Sequence, residues 1–249
     1  EIKNFGVKLG SRIEDYKEVK IGSTIPYEIR NISGNWSPWV PIGEIQRGKE
    51  DWMDCTIRTD TNVIEIQEYH MTGVVSNYND REVAQGAGVT REGAYAWQGP
   101  EYIRKTGLAK QETWLDSGGT FEEQYSPAPA DIRRKLDEEK KEWLGKWDIK
   151  HVDIPYDKVS LQKHLKHAPL QIIVPGHSVT GIYSPKDIDR ILDSYPPYIK
   201  DIPGQQYSGP IIFAKKIVLY KKEQSVPDEW LLVDISYGDT GRQVKKLKN

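Results

Sequence analysis

Cysteine occurs once in this chain, at Cys55, in the stretch Gln46-Arg-Gly-Lys-Glu-Asp-Trp-Met-Asp54-Cys55-Thr-Ile. A lone cysteine closes no internal disulfide, so the fold must rest on a packed core. It is also a poor start for a zinc cage, which needs several Cys or His ligands at short spacing. Two roles remain for Cys55: a small buried hydrophobe or a nucleophile.

The chain has 249 residues, enough for one large domain or two small lobes. Hydrophobic residues make up 37% and charged residues 29%, as in globular proteins that fold in water. A net charge of −2 supplies no bulk field for nucleic acid or an anionic membrane. No apolar run approaches the roughly 18 residues of a membrane span. The first residue is Glu1, with no signal-peptide pattern, which fits a processed or excised chain. The absence of disulfides leaves cytoplasm, virion and cell exterior all open. Eight Trp and 14 Tyr against three Phe favour half-wet positions, and Trp39, Trp52 and Trp97 suit a cleft wall or a core equally well.

Residues 1–45 are dense in Gly, Pro and Asn and read as loop-rich and extended. A helix is expected over 55–70, where Gly and Pro are absent, with Asp54 as its N-cap and Cys55 at its start. Further helices are expected at about 100–108, 128–147 and 156–167. In the third, Ile132, Leu136, Trp143, Leu144 and Trp147 form one stripe. Strands are expected at Leu170–Val174, His177–Tyr183, Arg190–Leu192, Ile211–Leu219 and Trp230–Ile235. Helices first and strands later predict an α+β fold with segregated layers, dividing near residue 168.

A thiol attacks carbonyls as thiolate, and a helix N-terminus or a nearby imidazolium favours that form. Asp54, a like charge, opposes it. His177 heads an apolar strand and is placed to take a proton and return it to a leaving amine. Asp193 lies sixteen residues later, a spacing that lets a neighbouring strand bring it to His177 and hold the ring. The Cys55 backbone N–H and a side-chain amide would receive an oxyanion. Gln46 is the only Gln or Asn between Asn35 and Cys55. His70, His151, His164 and His167 lack such a context. His164 and His167, three apart on an expected helix, fit a solvated face better than a metal site.

The order Gln46, Cys55, His177, Asp193 resembles that of papain-like cysteine peptidases. The likeness is nearest to divergent members from phages and uncultured bacteria. It is carried by Trp36-Ser-Pro38-Trp39-Val-Pro41, Asp51-Trp-Met-Asp-Cys55, Asn62-Val-Ile-Glu65 and Asn77-Tyr-Asn-Asp80-Arg81. Arg104-Lys105-Thr-Gly107-Leu108 and Leu192-Asp193-Ser194-Tyr195-Pro-Pro197 extend it, so it runs from about Phe5 to Tyr198. The resemblance implies a helical lobe over residues 1–168 carrying the nucleophile and a β lobe over 169–236 carrying His177 and Asp193. It also implies a cleft between the lobes and no cofactor. Three features depart from the pattern: Thr56-Ile57-Arg58 follows the nucleophile, Gln46 sits far upstream, and Asp193 stands where Asn is commoner.

Residues 237–249 form a tail in which Tyr237-Gly238-Asp-Thr-Gly241-Arg-Gln-Val244-Lys-Lys-Leu247 is similar to the opening of a peptidoglycan-binding repeat. The expected function is a cysteine peptidase acting on protein or on cell-wall peptides. A catalytically silent binding or structural module, such as a virion component, and a cell-wall amidase are the alternatives. The expected partner is a protein or peptide substrate, with neither nucleic acid nor membrane.

Overall fold

The computed structural model describes residues 8, 29–41, 43, 45–186, 188–203 and 210–222. The expected strand at Trp230–Ile235 and the repeat-like tail 237–249 lie outside the described residues.

Six helices of more than one turn of 3₁₀ are described: α1 (Cys55–Thr72), α2 (Asp80–Ala87), α3 (Gln98–Thr106), α4 (Phe121–Gln124), α5 (Ala130–Lys146) and α6 (Lys158–Leu165). Helix α1 runs through a stretch without Gly or Pro and stops at Gly73, whose φ of 72° is left-handed. At its other end Asp54 occupies the N-cap position, but its side chain makes no capping bond to the helix. It accepts instead from Arg58 Nε at 3.2 Å, because a buried guanidinium one turn on competes for the carboxylate. Asn79 does cap α2, accepting from the Glu82 N–H at 2.9 Å.

Six antiparallel strands make one sheet: β1 (Trp147–Ile154), β2 (Leu170–Val174), β3 (His177–Tyr183), β4 (Ile188–Leu192), β5 (Ile199–Pro203) and β6 (Phe213–Lys221). Their spatial order is β1-β6-β2-β3-β4-β5. Pro175 and Gly176 close the β2–β3 hairpin. Gly176 has a φ of 75°, which a side chain would resist, and Val174 pairs with His177. That tight turn fixes His177 as the first residue of β3.

Strand β1 falls between two expected helices, in a segment given no element apart from its first residue. The sequence stripe counted Trp147 as the last helical residue, whereas the chain turns extended there, and Trp147 and Ile149 are buried on the same face. Its partner β6 lies some seventy residues on, pairing Trp147 with Lys221, so no local pattern announces the pairing.

Two apolar clusters flank α1. Ile66 joins one, with Trp36, Leu161, Leu165, Leu170, Ile172, Val179 and Leu192. Ile57, Val63 and Ile64 join the other, with Val83, Ile103, Leu108, Trp143, Ile149, Ile217 and Leu219. A helix shared by two cores has apolar residues on more than one side, which explains why its sequence shows only a weak single face. Its buried polar residues are tied in: Gln67 Nε2 donates to the Ile217 carbonyl at 2.9 Å and Gln67 Oε1 accepts from the Leu219 N–H at 3.1 Å.

Gly107 ends α3 at φ 82°, and a Cβ there would lie 2.3 Å from the Lys140 carbonyl oxygen of α5. Both the left-handed backbone and the clash with fixed backbone penalise a side chain. Gly107→Ala is therefore expected to lower the unfolding free energy by about 2–4 kcal/mol, read from denaturant midpoints at unchanged m. A change below about 0.5 kcal/mol would contradict this packing.

Candidate active site

Cys55 opens α1 and is fully buried, packed with Ala96, Ile173, Ile212 and Phe213. The Ser178 backbone N–H favours the ionised form of its thiol. Two bonds hold the helix against β3: Ser178 Oγ to Thr59 Oγ1 at 3.0 Å and Thr180 Oγ1 to the Thr59 carbonyl at 3.5 Å. A polar zipper of short side chains thus brings the helix start to the hairpin that carries His177.

His177 and Asp193 meet as the spacing predicts. Nε2 of the buried His177 ring lies 2.9 Å from Asp193 Oδ1. Strand β3 pairs with β4, and Asp193 follows the last residue of β4, so adjacent strands deliver the two groups. Asp193 Oδ1 also accepts from the Tyr195 N–H at 3.1 Å, and Oδ2 accepts from Lys200 Nζ at 2.7 Å. Burial pushes the Asp193 carboxyl up, but the bonds and charges of His177 and Lys200 outweigh it and hold the group below its usual range. Lys200 was not visible as a site residue, because it reaches Asp193 only through the β4–β5 pairing, in which Leu192 faces Ile199. Its ammonium offsets the charge by which Asp193 differs from the Asn of the resembled pattern.

Gln46 is buried and lies against the segment that follows Asp193. Its N–H donates to the Ser194 carbonyl at 3.4 Å, and its Oε1 accepts from Ser194 Oγ. Nε2 donates to Asp51 Oδ1 at 3.1 Å. The additional residues between Gln46 and Cys55 form a tight loop closed by a bridge between Arg47 and Asp51. The far-upstream position of Gln46 is thus taken up by the loop, and the amide returns to the neighbourhood of Ser194.

Arg58, the odd residue after the nucleophile, is a structural anchor that the sequence did not reveal. Its guanidinium is 1% exposed and binds Asp54 at 3.2 Å, Asp80 at 3.0 Å and Asp116 at 3.0 Å, with Trp52 beneath it. Trp52, buried, donates Nε1–H to the Gly119 carbonyl, and Trp39, half-buried, packs on the ring of His70. Removing one partner of such a buried set costs about 3–5 kcal/mol.

The electrostatics oppose a standing thiolate. Burial pushes the Cys55 thiol well above its ordinary range, and Asp54, Asp51 and Asp193 add to the rise, against the Ser178 N–H. The expectation that the helix start lowers it is outweighed, because desolvation of a fully buried anion exceeds a half-charge of helix dipole.

Burial also raises Asp54, to about 6, helped by Asp116 and Asp51 and resisted by Arg58. A carboxyl whose pKa is raised in the folded state stabilises the fold at low pH, and that contribution disappears as pH rises through about 6. Asp54→Asn has no proton to lose. Its stability relative to the native chain is expected to rise by roughly 2–3 kcal/mol between about pH 4 and 7, measured by denaturant unfolding. A difference that stays flat with pH would contradict the assignment.

No family model matches the chain, and no curated protein matches it. Solved structures do. The proform of the Amb a 11 cysteine protease, a ragweed pollen allergen, superposes with a TM-score of 0.55 at 14% identity, over 84% of this chain and 70% of that one. Digestive procathepsin L 3 of Tenebrio molitor larval midgut gives 0.54 at 11% identity, over 80% and 72%. Xylellain, a cysteine protease from Xylella fastidiosa, gives 0.52 at 13% identity, over 73% and 83%. With a central helix opening on Cys55 and an antiparallel sheet carrying His177, this chain has the α+β fold of the papain-like cysteine proteases.

Proposed function

We propose that the chain is a cysteine peptidase using Cys55, His177 and Asp193, with Gln46 serving the oxyanion. The observation that carries the reading is the His177–Asp193 pair, joined at 2.9 Å, on the strand against which the helix opened by Cys55 is held through Thr59 and Ser178. With Nε2–H donated to Asp193, Nδ1 carries the lone pair that accepts the thiol proton. The thiolate sulfur then forms a bond to the scissile carbonyl carbon. The Cys55 N–H and Gln46 Nε2 receive the negative oxygen. His177 returns the proton to the departing amine as the C–N bond breaks, and water later hydrolyses the thioester.

Because burial disfavours the resting thiolate, deprotonation belongs with attack and follows uncovering of the sulfur. Candidate substrates are proteins, of a phage or its host, and the peptide stems of peptidoglycan. The pattern from Tyr237 to Leu247 favours the cell wall.

A second reading, a silent binding or structural module on the same fold, is favoured by the complete burial of Cys55. Incubation with unfolded protein and with purified peptidoglycan, followed by mass spectrometry of the products, separates the readings. Cleavage by the native chain is expected to vanish in Cys55→Ala and to drop about a thousandfold or more in His177→Ala. Stem-peptide release without proteolysis would identify an amidase. Cleavage that survives Cys55→Ala, or its absence from both substrates, would contradict the proposal.

A further inference from the structure

Asp51 lies outside the proposed triad, yet its two carboxylate oxygens join both halves of the site. Oδ1 accepts from Gln46 Nε2 at 3.1 Å and from the Met53 N–H at 2.9 Å. Oδ2 accepts from the Tyr195 hydroxyl. The Tyr195 ring stands 5.9 Å from the His177 ring, and its N–H binds Asp193. One side chain therefore spans from the oxyanion amide to the residue that packs on the His177–Asp193 pair. It also holds the turn into Cys55, in which Met53 adopts a φ of 59°, the one positive φ of a non-glycine among the described residues. A strained backbone of this kind persists where neighbours over-determine it.

An amide side chain has two faces that differ only in which end donates. Ser194 Oγ donates to Gln46 Oε1 and Asp51 accepts from Nε2, so the two contacts agree on one orientation. Nε2 therefore faces Asp51 and Oε1 faces Ser194.

We infer that Asp51 is a positioning residue, which fixes the Gln46 amide for oxyanion binding and locks it, through Tyr195, to the His177–Asp193 side of the site. The inference rests on the peptidase reading. Its effect is specific to acyl transfer. In that step the Cys55 sulfur forms a bond to the acyl carbon, negative charge gathers on the carbonyl oxygen, and the leaving group departs. Alkylation of the same sulfur by iodoacetamide displaces iodide and builds no oxyanion.

The test compares two rates on the intact chain. One is acylation by p-nitrophenyl acetate, read as the nitrophenolate burst, and the other is alkylation by iodoacetamide, read by intact mass. Asp51→Ala is expected to slow acylation by about tenfold or more, while alkylation stays at or above the native rate because a nearby negative charge is gone. Asp51→Asn, whose carbonyl oxygen can still accept from Gln46 Nε2, is expected to keep acylation within about threefold of native. Should Asp51→Ala fail to fold, Tyr195→Phe decides, with slowed acylation and unchanged alkylation as the supporting result. Native acylation in Asp51→Ala, or a parallel fall of both rates in every variant, would overturn the inference and leave the peptidase reading intact. A native chain inert to both reagents would sink the peptidase reading, and this inference with it.

Discussion

The Arg58 guanidinium, buried among Asp54, Asp80 and Asp116, ties the first turn of α1 to the start of α2 and to the loop at residue 116. Three carboxylates facing one cation would repel one another without it, so the ion set is cooperative: each member needs the others. Cys55 lies three residues before Arg58 and one after Asp54. The position of the thiol is therefore inherited from a network outside the proposed triad. Around it, the two apolar clusters press α1 from both sides and the Thr59–Ser178 contact fixes its start against β3. The proposed chemistry depends on a helix that cannot slide.

Burial that immobilises the helix also discourages the Cys55 thiol from ionising. The thiol is desolvated, and Asp51, Asp54 and Asp193 surround it with negative charge. The Ser178 N–H is the opposing device. Lys200 matters in this balance, because it neutralises Asp193 from the side away from His177 and limits the negative potential felt at the sulfur. An uncovered and a covered state of Cys55 would thus differ in reactivity as well as in access.

Much of the arrangement was legible in the residues. A Gly- and Pro-free run after Asp54 announced α1. The strands on either side of Pro175-Gly176 were read as strands, and the separation of His177 from Asp193 suited adjacent strands. What escaped was non-local. Strand β1 is defined by pairing with β6, far along the chain, and Trp147 also satisfied a helical stripe. Arg58 looked anomalous after a nucleophile because its three partners are contributed by distant segments. Lys200 carried no motif, and Asp51 stood in a motif that gave it no role; what each does exists only once β4, β5 and the loop after Gln46 are folded. Asp54 was correctly placed at the helix start, yet its carboxylate serves Arg58 in preference to the backbone.

The most direct measurement is the rate of Cys55 alkylation by iodoacetamide across roughly pH 4 to 9, a range bracketing the free-thiol pKa, for the native chain, His177→Ala and unfolded protein. A coupled Cys55–His177 site predicts modification of the native chain well below about pH 8.5 that is lost in His177→Ala. Modification that begins only near that value, or only after unfolding, would contradict it and leave Cys55 as an ordinary buried thiol on a papain-like scaffold.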